Sequence, residues 1–164
     1  MAFVSEALGA RHHLGQFDSG KPELDQWLFR HALDAERRRT ARTVVWHDEG
    51  DFNAVAYYSL AAHLVIRDDL SRALGHGNPA QIPAILLARL ALHAGLQGQG
   101  HGGTLLAEAM SRAVTAADSV GARFVVVDAI DDAAAGFYRH HGFRDIPDTN
   151  RLIQKMSDIA AAMA

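Results

Sequence analysis

The stretch LQGQGHGGTLL, residues 96 to 106, sets four glycines and two glutamines between an apolar run and an amphipathic one. Glycine at that density costs backbone entropy and adds nothing to a core. What it leaves is bare peptide nitrogen. Where a helix begins, the first N–H groups have no intrahelical acceptor and the helix dipole adds partial positive charge, so the chemistry expected of this corner is the clasping of an anion such as a phosphate. One phosphate-binding pattern fits formally: Gly98, Gly100 and Gly103 satisfy G-x-G-x-x-G, and Asp128 ends the next apolar run as a ribose-binding acid would. The corner lies nearly a hundred residues into the chain, however, and only about sixty follow it, too few for the further βα units of a doubly wound domain. A P-loop is excluded because no Gly-Lys-Ser/Thr follows the glycines.

Other residues could do chemistry, each with a plainer alternative. Arg30, Arg37, Arg38, Arg39 and Arg42 stand against Asp34 and Glu36, a local charge of +3 on a chain of net −3. Such a patch can steer an anionic partner, and it also suits a solvated helix end. Arg89 interrupts the apolar run AILLARLAL; a charge there needs either a cleft facing substrate or a buried partner. Tyr138 carries a phenol that stays protonated at neutral pH and can donate a proton, though a tyrosine is as often an amphipathic core residue. Tyr57, Tyr58 and Ser59 suit an acceptor cleft or an ordinary strand. The ten histidines include the adjacent pairs His12-His13 and His140-His141, which cannot converge on one ligand point, and no H-E-x-x-H occurs, so no metal is expected.

These residues need a scaffold. A chain of 164 residues, 49% apolar and 21% charged, is expected to form one domain around a real core. It has no cysteine, no apolar run long enough for a membrane helix and no recognisable secretory leader, which together suit a cytoplasmic protein. Pro22, Glu23 and Asp25 read as a helix start. TVVWH (43–47) and FNAVAYYSLAA (52–62), continued by HLVI, read as strands; residues 68–83 read as a loop broken by Gly and Pro. AILLARLAL (84–92) reads as a strand buried on both faces. Leu105, Leu106, Ala109, Met110, Ala113 and Ala117 then recur at helical spacing up to Gly121, RFVVVDA (123–129) is a second buried strand, and a further helix opens on acids and ends at Gly142. Strand, glycine turn, helix and strand make a βαβ unit, so the two strands are expected to be parallel. RLIQKM (151–156) is expected as a last strand and the final residues as a frayed tail.

In this setting the corner also matches Gln/Arg-x-x-Gly-x-Gly/Ala, through Gln97, Gly100 and Gly102, and so resembles the pyrophosphate turn of the GNAT N-acetyltransferases. A second stretch agrees. Asp131-x-x-Ala134-x-x-Phe137-Tyr138-x-x-x-Gly142-Phe143 resembles that family's Asn-x-x-Ala-x-x-Phe-Tyr-x-x-x-Gly-Phe, with Asp in place of Asn. The resemblance implies the GNAT fold over a single domain, residues 1–164: a mixed, mostly antiparallel sheet, helices on both faces and splayed central strands. It implies acetyl-CoA as cofactor, held by Leu90, Ala91 and Leu92 through their main chain, by Gln97, Gly98, Gln99, Gly100, His101, Gly102, Gly103 and Thr104 at the turn, and by Asp131, Ala134 and Phe137 on the later helix. It also implies Tyr138 as general acid to the leaving sulfur and the Leu92 amide as oxyanion donor.

FDSGKPELDQWLFRHALDAERRRTARTVVW, YYSLAAHLV and IPAILLARLAL further resemble the GNAT toxins of toxin–antitoxin modules. That likeness implies N-acetylation of the α-amine of aminoacyl-tRNA, a block of translation, a ribbon-helix-helix antitoxin as partner and a homodimer. Arg30, Arg37, Arg38, Arg39, Arg42, Tyr58, Ser59 and Arg89 then become the expected substrate contacts. No general base stands out, and an α-amine with a pKa near 8 needs less help than a lysine amine near 10.4. Acetylation of a small amine or a peptide N-terminus, and a non-catalytic acyl-CoA-binding regulator, remain open alternatives at this point.

Overall fold

The computed structural model describes residues 3–164. Its strands are β1 (Val4–Ala7), β2 (Arg42–His47), β3 (Ala56–Ile66), β4 (Gln81–Leu92), β5 (Phe124–Asp128), β6 (Arg144–Asp145) and β7 (Arg151–Lys155). They form a seven-stranded sheet in the order β1-β2-β3-β4-β5-β7-β6. β4 and β5 pair in parallel, as the βαβ reading requires, while β1–β2, β2–β3, β5–β7 and β6–β7 are antiparallel. The chain gathers into two compact units, Met1–Ala61 with Ala88–Ala109, and Ala62–Leu87 with Met110–Ala164.

In the first unit, α1 (Pro22–Trp27) opens on Pro22, whose missing N–H costs nothing in a first turn, with Glu23 and Asp25 beside it. It passes through a π-helical turn at Leu28–Ala32 into α2 (Leu33–Arg38), which stops where Arg39 turns left-handed at φ 61°. Leu28 and Ala32 are fully buried against Val45, Tyr57 and Ala91. Strand alternation sends the next residues, Trp46 and Tyr58, the opposite way. There they meet Glu108 of α4 (His101–Val120), whose carboxylate accepts hydrogen bonds from Tyr58 Oη (2.7 Å), Ser5 Oγ (2.7 Å) and Trp46 Nε1 (3.2 Å). Helices therefore cover both faces of this part of the sheet.

In the second unit, Ile82, Ala84, Phe124, Val126 and Ile153 pack with Val65 and Ile146. α3 (Arg72–Gly75) is one short turn capped by Ser71. α5 (Asp132–His140) is capped by Asp131, whose side chain accepts from the Ala134 N–H at 2.8 Å.

Two expectations change. β4 begins at Gln81 rather than Ala84 and carries Pro83 inside it; proline lacks only the donor, and its carbonyl still accepts from the Arg123 N–H at 2.8 Å. The tail is not frayed: α6 (Met156–Met163) buries Met156 and Ile159. β1, too short to show a period along the chain, pairs with β2 and is also bonded to α4 through Ser5 and Glu108.

Candidate active site

The glycine corner follows β4 directly. A 3-10 turn over Ala94–Leu96 leads to Gln97–Gly100 and then to the first turn of α4. Gly98 (φ 77°) and Gly100 (φ 85°) both take the left-handed backbone that a side chain disfavours, and a Cβ built at either would meet no protein atom within 4 Å. Among the described residues, no acceptor takes the N–H groups of Gly98, Gln99 or Gly100. The helix that begins at His101 adds first-turn amides with no intrahelical partner. Unclaimed donors thus lie beside open space at Gly98 and Gly100, a set of amides suited to a diphosphate. Gly102, Gly103 and Thr104 belong to this mouth, Thr104 Oγ1 turning back to the Gly100 carbonyl at 3.4 Å. The His101 ring lies edge-on to Phe3 at 5.5 Å, so its contribution to the mouth is its backbone.

Gln97, expected at the turn through its backbone, spends its side chain within the fold. Its side-chain amide nitrogen donates to the Leu92 carbonyl (2.9 Å) and to the Ser19 carbonyl (2.8 Å). Asp25 in turn accepts from Ser19 Oγ at 2.7 Å, and Ala94 N–H donates to the Asp18 carbonyl at 2.8 Å. The end of β4, the turn and the start of α1 are locked together. The paired register of β4 with β5 ends at Leu87↔Val127, while β4 continues to Leu92, so Ala88 to Leu92, including Leu90 and Ala91, run on without a β5 register partner.

Tyr138 sits on α5 in the second unit, 6% exposed, its ring edge-on to Phe137 (5.3 Å) and Phe143 (5.7 Å). Burial pushes its phenol above the ordinary tyrosine range. Its hydroxyl has no hydrogen-bond partner among the described residues, yet no buried side-chain oxygen there is sealed in unpaired, so the hydroxyl reaches accessible space. Of the other residues expected with it, Asp131 and Ala134 form the helix cap, and Phe137 is half-buried against His141 at 4.7 Å.

The acceptor residues divide. Arg38 pairs with Asp34 (3.0 Å) and Arg42 with Glu36 (2.8 Å). Arg30, Arg37 and Arg39 are exposed and form no ion pair among the described residues. Tyr58 and Ser59 do not line a cleft: both are 0% exposed, Tyr58 bound to Glu108 and Ser59 to Thr43 Oγ1 at 2.7 Å. Period-two alternation sends Tyr58 to the α4 face and Ser59 to the opposite one, and each hydroxyl is satisfied internally. Tyr57 faces α1 and donates to the Leu24 carbonyl at 2.7 Å. Arg89 is half-buried with its guanidinium 4.0 Å from the Trp27 ring centre.

One cluster has no signal along the chain. His12 and His47 each place Nε2 2.7 Å from Glu6 Oε1. His12 Nδ1 lies 2.9 Å from the Gly9 amide nitrogen and 3.2 Å from the Gly9 carbonyl, with Nε2 facing Glu6. His47 Nδ1 faces the Asp48 carbonyl at 2.8 Å, so this ring donates from both nitrogens. Burial alone would lower His47, but the Asp48 carbonyl and Glu6 outweigh it and hold its pKa above the usual value. Bonds from His12 and then His47 hold Glu6 low. The Glu6–His47 contact in this cluster ties β1 to β2. Adjacent histidines were the only pairs visible in the sequence, and the fold pairs distant ones.

Residues 44–145 match the acetyltransferase (GNAT) domain family. A tRNA-acetylating toxin of Mycobacterium tuberculosis (strain ATCC 25618 / H37Rv) is 38% identical over 146 residues, covering 88% of this chain and 87% of the toxin. The solved AtaT complexed with acetyl-methionyl-tRNAfMet superimposes with a TM-score of 0.91 at 28% identity over 99% of this chain and 100% of that one. A mutant AtaT toxin bound to the C-terminus of the antitoxin AtaR and acetyl-CoA gives 0.85 at 28% identity, covering 99% and 98%. With the glycine corner opening α4 and the Phe-Tyr helix α5 both in place, the chain belongs to the GNAT acetyltransferase family.

Proposed function

We propose that this protein is an acetyl-CoA-dependent toxin that N-acetylates the α-amine of aminoacyl-tRNA and so withdraws charged tRNA from translation. The observation that carries the transferase chemistry is the row of unclaimed amides from Gly98 into α4, a cradle with open space before it and charge suited to a diphosphate. Acetyl-CoA supplies the activated acetyl group. The main chain of Leu90, Ala91 and Leu92 orients the pantetheine arm, and the Leu92 N–H donates to the carbonyl oxygen as charge gathers there. Tyr138, a phenol whose hydroxyl has no partner among the described residues, gives the departing sulfur its proton.

The tRNA acceptor is supported by the 38% identity to a tRNA-acetylating toxin and by Arg30, Arg37 and Arg39, exposed cations left free on a basic helical arm. A cytoplasmic location, a ribbon-helix-helix antitoxin and a homodimer complete the reading. No helix among the described residues is long and apolar enough to cross a membrane.

The test is incubation with charged tRNA and labelled acetyl-CoA. Label is expected in the RNA fraction, released as N-acetyl amino acid when mild alkali cleaves the ester. Label found only in added polyamines or peptides would replace the acceptor; acetyl-CoA binding with no acetylated amine at all would remove the enzymatic reading.

A further inference from the structure

Arg89 is the one cation of β4, and its situation is unusual. It lies two residues before Ala91 on the same face of the strand, half-buried, with its guanidinium spread 4.0 Å over Trp27. Among the described residues it has no carboxylate partner and donates no hydrogen bond, although a guanidinium offers five N–H groups. No buried side-chain nitrogen is left sealed and unpaired, so these donors face accessible space. Desolvation lowers its pKa, and the hydroxyl of Tyr57 only partly offsets this, so the surroundings are short of negative charge. Removing a cation from water without a counter-ion costs stability. A charge held this way is poised for an anion from outside.

The shelf beneath it is rigid. Trp27 lies parallel to Tyr57 (13° between planes, 6.2 Å between centres), and Tyr57 Oη is tied to the Leu24 carbonyl. The start of α1 is bound through Ser19 and Gln97 to the carbonyl of Leu92. Arg89 thus stands at a fixed offset from the strand end, about 10 Å along β4 from Leu92 at roughly 3.3 Å per residue. That sets Arg89 beside the strand end at which transfer is proposed.

We infer that Arg89, held over Trp27, receives a phosphate oxygen of the acceptor's 3′-terminal nucleotide and so selects nucleotide-borne amines over free ones. The inference rests on the aminoacyl-tRNA reading above. An aromatic ring under a guanidinium leaves its edge free, and that edge matches two phosphate oxygens, which an ammonium cannot do.

The experiment is a cycle between protein and substrate. kcat/KM is measured for wild type, Arg89→Gln and Arg89→Lys with two acceptors: an aminoacylated CCA trinucleotide, and aminoacyl-adenosine lacking the 5′ phosphate. Charged tRNA serves as the positive control. Arg89→Gln should lose about ten- to a hundredfold on the trinucleotide, the size of a charge-assisted hydrogen bond, and almost nothing on the nucleoside. Arg89→Lys should fall between, keeping the charge without the fork. Melting temperature and acetyl-CoA affinity should hold. Equal losses on both acceptors, or a loss that follows acetyl-CoA affinity, would overturn the role for Arg89. Should Arg89→Gln fail to fold, Arg89→Lys carries the same comparison. Wild type that acetylates no charged tRNA would remove the parent reading and this inference together, whereas an active wild type with equal losses removes only this one.

Discussion

Replacing Gly100 by alanine separates two effects that usually travel together. Its φ of 85° is left-handed, which costs a residue with a Cβ about 1–2 kcal/mol. No protein atom lies within 4 Å of that Cβ, so no steric cost within the fold is added. For a chain of this size 1 kcal/mol shifts the melting temperature by about 2–4 °C, giving an expected fall of about 2–8 °C. Gly50→Ala, in the turn between β2 and β3, has φ 81° and the same open surroundings, and should melt lower by the same amount. The difference lies in the ligand. At Gly100 the methyl group stands in the space before the free amides and holds a phosphate away from them. Losing one or two charge-assisted hydrogen bonds, at roughly 1.5–3 kcal/mol each, weakens acetyl-CoA by at least about tenfold. Scanning fluorimetry and titration calorimetry on both variants decide it. If Gly100→Ala bound acetyl-CoA as tightly as Gly50→Ala does, the corner would not be the anion cradle and the reasoning built on it would collapse.

Tyr138→Phe should lower kcat about a hundred- to ten-thousandfold in steady-state kinetics and leave acetyl-CoA affinity and melting nearly unchanged, since its hydroxyl bonds nothing among the described residues; full turnover would dismiss it as the acid. Glu108→Ala strands the buried Tyr58 hydroxyl and Trp46 N–H, at about 1–3 kcal/mol each, so thermal melting should fall by roughly 4–24 °C, with Glu108→Gln falling less. Glu6 and His47 shape stability against pH. The raised His47 contributes fully below its unfolded value near 6.5 and loses that contribution as pH climbs through its folded pKa; the lowered Glu6 contributes above its unfolded value near 4.5 and loses it as pH falls through its folded one. Urea unfolding from pH 4 to 9 should therefore show a declining alkaline limb that His47→Gln flattens; an identical limb in the variant would count against the ion pair. Changing Arg30, Arg37 and Arg39 to glutamine should raise KM for charged tRNA and reduce the salt slope by about one per residue that contacts phosphate, with acetyl-CoA binding unaffected.

Much of this protein is legible along the chain because its carriers are local. A helix mouth announces itself through glycine density, so residues 98–103 pointed to an anion before any fold was considered. The apolar runs at 84–92 and 123–129, with a helical period between them, required a parallel pair, and β4 and β5 are one. The pattern around Phe137 and Tyr138 placed a candidate acid on a helix in the same way. Side-chain destinations are not local. Gln97 is expected at the cofactor turn from the family resemblance, and its side-chain amide ties the end of β4 to Ser19, 78 residues from Gln97. Tyr58 and Ser59 differ from Tyr57 by one or two steps along a strand, and only the sheet's two unlike faces decide that Glu108 and Thr43 claim them. Likewise His12 meets His47 across Glu6, and Arg89 finds Trp27, because strand pairing and helix packing set their separations. Periodicity and backbone conformation are short-range properties of a chain. Which donor meets which acceptor is settled when distant segments exclude water together, and a linear sequence does not carry that geometry.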